Sequence, residues 1–68
     1  MQTSDDFYIF AETMRRYGGG FCKKLADAFC AADSLNKQKI IAAFPELVEK
    51  YGPGSRFAQA MQQEKVNV

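Results

Sequence analysis

The stretch Arg15-Arg16-Tyr17-Gly18-Gly19-Gly20-Phe21-Cys22-Lys23-Lys24 decides how this chain is read. Before it, apolar residues recur at helical spacing and stop. After it, a second helical pattern begins. Glycine is the natural stop because it enters the left-handed cap conformation without steric penalty. Gly18 is therefore expected to end a first helix in that conformation, and a second helix is expected to begin within Gly19 to Phe21. A turn this short makes the two helices antiparallel neighbours.

Upstream, Thr3 or Ser4 is placed to cap the first helix, with Asp5 and Asp6 where the positive end of the helix dipole favours carboxylates. Phe7, Phe10, Ala11, Met14 and Tyr17 form its apolar stripe, and Arg15 and Arg16 face the exposed carbonyls of its last turn. Downstream, Phe21, Leu25, Ala28, Phe29 and Ala32 are the expected buried face of the second helix, with Cys22, Ala26 and Cys30 as small packing residues along its edge.

Asp33 or Ser34 should cap a third helix with Leu35, Ile40, Ala43 and Phe44 inward and Lys37 and Lys39 outside. Pro45 breaks it and suits the first turn of a fourth helix, PELVEKY, with Leu47, Val48 and Tyr51 inward. Gly52-Pro53-Gly54 stops that helix, and Ser55 caps a last one carrying Phe57, Ala60 and Met61. The residues from Gln62 to Val68 read as a frayed tail. The expected fold is all-α: one domain over residues 1–68, a compact bundle of four to five short helices.

Composition narrows the function. A chain of 68 residues buries a small share of its surface, and 47% hydrophobic residues are more than so small a core absorbs. Self-association is the expected outlet, through apolar residues off the main stripes: Tyr8, Ile9, Phe57 and Met61. Cys22 and Cys30 lie about 12 Å apart along one helix, beyond disulfide reach. With no His, and no paired-cysteine spacing, no metal set is visible and no cofactor is implied.

The absence of His also removes the commonest general base and every Ser/His or Cys/His nucleophile arrangement. Asp5 with Asp6, and Glu46 with Glu49, read as helix-start and surface acids and not as catalytic pairs. A non-enzymatic protein is the expectation. The acidic opening MQTSDDF lacks the basic and then apolar run expected of a signal peptide, and no apolar run has the length of a membrane span. That pattern points to a reducing cytoplasmic setting without membrane contact. A net charge of +1 argues against a strongly basic nucleic-acid binder.

The glycine turn is the candidate site. A helix with a glycine-rich first turn points backbone donors outward, and its dipole attracts phosphate or carboxylate. Arg15, Arg16, Lys23 and Lys24 flank this one, and Tyr17 stands ready to stack on a base. Together with Gly18, Gly19 and Gly20 these residues form the predicted ligand site for a nucleotide-like anion, a phosphate backbone or an acidic protein surface. The competing reading is a plain helix stop and close helix crossing.

YGGGF (17–21), LADAF (25–29), AAD (31–33) with Asn36, and IIAAFPELVEKYGPGS (40–55) resemble short open reading frames that recur in bacteriophage and prophage genomes. The resemblance spans about half the chain, and AFPEL followed by KYGPGS is its most specific part. It implies a phage-type accessory role acting by occupancy, such as interference with a host process including host defence, in the host cytoplasm. It supplies no binding or catalytic residues. The alternatives are a small DNA-binding regulator, in which the second and third helices mimic a helix-turn-helix, and a structural or assembly component of a virion.

Overall fold

Five helices follow one another along the chain in a computed structural model that describes residues 3–66: α1 (Ser4–Tyr17), α2 (Gly20–Ala31), α3 (Ser34–Ala43), α4 (Pro45–Tyr51) and α5 (Arg56–Val66). Among the described residues there is no strand. The all-α expectation therefore holds, and the boundaries follow the predicted caps closely.

Thr3 opens α1 with a capping box. Its hydroxyl accepts from the Asp6 amide at 3.1 Å, and the Asp6 carboxylate accepts from the Thr3 amide at 3.5 Å. Phe10, Ala11 and Met14 then bury one face of α1 against Cys22, Ala26 and Phe29 of α2. The Phe29 ring meets Phe7 and Phe10 edge-on, with centroids 5.6 and 5.3 Å apart.

The buried face of α2 is thus rotated from the predicted one. Cys22 and Ala26 are buried with Phe29, Leu25 and Ala32 are half-buried, and Phe21 and Ala28 are exposed. The reason is close approach: the two helices meet over a ridge of small side chains, four residues apart, and not over the bulk of Phe21. Gly18 belongs to this contact. A Cβ there would overlap the Cys22 Cβ and stand 2.7 Å from the Met14 carbonyl oxygen. Gly18 does not adopt the expected left-handed conformation, since its φ of −84° and ψ of 164° are extended. Space, not a positive φ, demands glycine.

Asp33 caps α3 by accepting from the Asn36 amide at 2.9 Å. No residue of α3 is fully buried. Its inward stripe is Lys37, Ile40, Ile41 and Phe44, all half-buried, and it runs on through Pro45 into Leu47, Val48 and Tyr51 of α4 at the same spacing. Leu35 and Ala43, expected inward, fall off that stripe and are exposed. Lys37, expected outside, lays its stem inward: its ammonium donates to the Ala32 carbonyl at the end of α2 and lies 5.6 Å from the Phe29 ring centroid.

After α4 the chain turns at Gly52-Pro53-Gly54, where Gly54 has the left-handed φ of 84°. Ser55 accepts from the Ala58 amide at 3.2 Å and starts α5. That helix packs by Phe57, Ala58 and Met61, with Ala60 exposed. Phe57 stacks between Tyr17 and Tyr51, centroids 5.0 and 5.5 Å away. Met61 is buried with its sulfur 3.8 Å from the Thr13 hydroxyl, which donates to the Ile9 carbonyl at 2.6 Å.

Two of the side chains assigned to self-association therefore belong inside the protomer. Phe57 and Met61 fill the space that α1 and α4 leave open, because the α1–α2 hairpin alone leaves the other side of Met14 and Thr13 uncovered. Ile9 is half-buried and Tyr8 is 52% exposed. The predicted frayed tail is helical from Gln62 to Val66, and residues 67 and 68 lie outside the described part. Among the described residues, no helix is long and apolar enough to cross a membrane. Both thiols are free, Cys22 buried and Cys30 exposed.

Candidate functional site

The start of α2 differs from the starts of the other long helices. Thr3, Asp33 and Ser55 supply side-chain caps to α1, α3 and α5, whereas α2 has Gly19 at its N-cap and no side-chain cap. Its first backbone return bond is from the Lys23 amide to the Gly19 carbonyl at 3.0 Å. The amides of Gly20, Phe21 and Cys22 thus donate to no acceptor among the described residues. Its first turn carries no acidic residue, and the next residues along it are Lys23 and Lys24, both exposed and neither in an ion pair among the described residues. Free donors, a positive dipole end and two ammonium groups make this end of the helix attractive to an anion.

Sterics separate the glycines. Only Gly18 is required by packing; a Cβ on Gly19 or Gly20 would meet nothing within 4 Å. Both are exposed, so positions 19 and 20 leave the backbone open without serving the helix crossing.

The basic residues before the turn have other duties. Arg15 binds Glu12 at 2.7 Å and Asp27 at 2.9 and 3.3 Å, and its guanidinium also reaches the Cys30 sulfur at 3.6 Å. Asp27 first, then Glu12, raises the guanidinium pKa still further above its ordinary value. Arg15 is a strut between α1 and α2. Arg16 pairs with Glu64 of α5 at 2.8 Å while half of its side chain stays exposed. The Tyr17 hydroxyl donates to the same carboxylate at 3.3 Å, and its ring is stacked on Phe57. Burial of the phenol, with the Glu64 charge and hydrogen bond behind it, raises the Tyr17 pKa. Tyr17 is therefore not placed to stack on a base.

A different aromatic takes that place. Phe21, on the first turn of α2, is 62% exposed and its ring stands 5.7 Å from Phe44 at an angle of 60°. The sequence held a signal for it: once Cys22 and Ala26 are recognised as the contact ridge, Phe21 necessarily points away from α1.

The structure thus brings Gly19, Gly20, Phe21, Lys23 and Lys24 together at one open helix end and leaves Arg15 and Tyr17 out of it. Among the described residues no group of three or more His, Cys, Asp or Glu side chains is assembled as a metal site. A separate shallow cleft of about 230 Å³, lined by Ser4, Phe7, Tyr8, Phe29, Cys30 and Lys37, lies toward the other end of the α1–α2 hairpin. Comparison with protein families, curated proteins and solved structures gives no match.

Proposed function

We propose that this chain is a non-enzymatic binding protein that captures a phosphate-bearing, nucleotide-like anion at the start of α2. The observation that carries the reading is the row of amides at Gly20, Phe21 and Cys22, which have no acceptor within the described protein and stand beside two exposed lysines. A phosphate oxygen is the acceptor such donors match best. The Phe21 ring supplies a flat apolar surface for a base at the same end of the helix. The chain has no His, the commonest general acid–base, which supports retention as the mode of action.

The resemblance to short phage open reading frames gives this capture a setting: sequestration of a small signalling molecule in the host cytoplasm, and thereby interference with a host process such as defence. Self-association belongs to the same reading, since Tyr8, Phe21 and Leu35 are large apolar side chains open to solvent. Light scattering tests it: a mass of 7.6 kDa at high concentration removes the oligomer from the proposal. A second reading draws on the same end of α2, where the apolar Phe21–Phe44 pair with Lys23 and Lys24 also fits an acidic host-protein surface.

A thermal-shift panel of inorganic phosphate, pyrophosphate, ATP and a cyclic dinucleotide separates the two. A ligand at ten times its Kd stabilises the folded chain by about 1.4 kcal/mol. For a domain of this size that raises Tm by roughly 6–11 °C. Lys23→Ala with Lys24→Ala should abolish the rise while leaving the unliganded Tm in place, since neither lysine is in an ion pair among the described residues. A flat panel at millimolar concentrations overturns the anion reading and leaves the protein surface as the target.

A further inference from the structure

α3 is apolar on two sides. Ile40 and Ile41 turn toward the core with Phe44 behind them, while Leu35, Ala42 and Ala43 are exposed, Leu35 at 67%. A helix with apolar residues all round is normally covered all round. Here one side is covered, and no residue of α3 is fully buried.

Charge indicates what matches the open side. Its exposed residues recur at three- and four-residue steps that carry on past the helix break at Phe44: Leu35, Lys39, Ala42, Glu46 and Glu49. They lie opposite the inward residues of α3 and α4, so the outer side of this α3–α4 arm is basic before its middle, small at its middle and acidic after it. Lys39, Glu46 and Glu49 are in no ion pair among the described residues. Lys39 and Glu46 stand seven positions apart with the break between them, and do not meet within one chain.

We propose that the outer side of the α3–α4 arm docks on the same surface of a second copy of this chain, antiparallel about a two-fold axis at Ala42 and Ala43. In such a contact residue i meets j and j meets i. An axis between positions 42 and 43 sets Lys39 of each copy against Glu46 of the other, so the pair forms twice. The two alanines at the axis let the backbones approach closely, and Leu35 lies toward the rim. With a net charge of only +1, two copies repel each other little at long range. Two short helices offer an interface at the small end of the known range, under about 1,200 Å² in total, so the dimer is weak and concentration-dependent. The inference rests on the self-association part of the proposed function, to which it gives a surface, and is independent of anion capture.

Sedimentation equilibrium of the unaltered chain, taken to millimolar concentration, should show a mass rising from 7.6 kDa toward twice that value. Lys39→Gln removes both reciprocal pairs and should weaken the dimer about 2- to 30-fold, the range set by two exposed ion pairs. Lys39→Glu and Glu46→Lys place like charges opposite each other, and each variant alone should stay monomeric. An equal mixture of the two should dimerise again, because each chain then meets the opposite charge at both contacts; the recovery also shows that both variants are folded. If the unaltered chain remains at 7.6 kDa, self-association falls and the arm contact with it. If it associates and Lys39→Glu and Glu46→Lys associate equally well, self-association stands and this surface is overturned. Variants that are monomeric alone and remain so when mixed overturn the reciprocal pairing.

Discussion

Gly19→Asp should make the protein more stable and, if the start of α2 captures an anion as proposed, abolish that capture. Gly19 has φ −80° and ψ −164°, close to the φ −74° and ψ 176° of Asp33, whose carboxylate accepts from the amide three residues on at 2.9 Å. A side chain at position 19 has room, because its Cβ would meet nothing within 4 Å. An Asp there would reach the Cys22 amide as Asp33 reaches Asn36. It would also place a negative charge at a helix start that has none.

Replacing a glycine cap with aspartate is worth a few tenths of a kcal/mol, and a carboxylate at the dipole adds about 0.3–1 kcal/mol. A combined gain of roughly 0.5–1.5 kcal/mol corresponds to a rise in Tm of about 2–12 °C for a chain of this length. The assay is thermal unfolding followed by circular dichroism, run with and without millimolar pyrophosphate. The expected pattern is a raised Tm without ligand and no further rise with it. A variant whose Tm still climbs with pyrophosphate as the unaltered chain's does would refute the assignment of the free amides as the anion's donors. A variant with no intrinsic gain would show that those amides already have acceptors in solution.

The glycines on either side of position 19 should behave oppositely. Gly18→Ala forces a Cβ into Cys22 and the Met14 carbonyl and should lower stability by about 1–3 kcal/mol, read as a lower urea midpoint. Gly20→Ala meets open space within the helix and should hold stability level or raise it by up to about 1 kcal/mol. Phe21→Ala should leave Tm within a degree or two but cut ATP affinity more than pyrophosphate affinity, by about 1–3 kcal/mol if one base stacks there. Because the folded chain raises the Tyr17 pKa above its ordinary value near 10, the folded state holds that proton longer than the unfolded one. Its contribution is whole below that value and is lost as pH climbs through the raised pKa; Tyr17→Phe should flatten this alkaline fall in stability, as followed by urea denaturation.

The caps and stops were legible because each depends on a few adjacent residues: Thr3 with Asp6, Asp33, Pro45, Gly52 to Gly54 and Ser55. Rotation about a helix axis was less so. The periodicity of α2 fits a Phe21–Leu25–Ala28 face as well as a Cys22–Ala26–Phe29 one, and the choice is made by the facing helix, which needs small side chains where Gly18 lets it close in. The same limit hid Phe21 as an exposed ring and Met61 as a core residue. Lys23 and Lys24 read as exposed residues in the sequence and are exposed in the structure, because no other described side chain claims them. Arg15 and Tyr17 were misplaced because Asp27 and Phe57, their partners, lie 12 and 40 positions away along the chain.

A chain of this length has a total stability of only about 3–10 kcal/mol. In such a molecule a missing cap is a sizeable omission, and α1, α3 and α5 each supply one. At the start of α2 the two positions that could hold stabilising side chains without any clash, 19 and 20, hold glycine, and lysines follow where acids would favour the dipole. Helix crossing accounts for Gly18 alone. Folding physics by itself favours an acid or a hydroxyl at 19 and an alanine at 20, so the open amides run against stability in a protein with little to spare. An anion bound there would return what the missing cap withholds, which is why stability without ligand and affinity for it should move in opposite directions at position 19, and together at position 18.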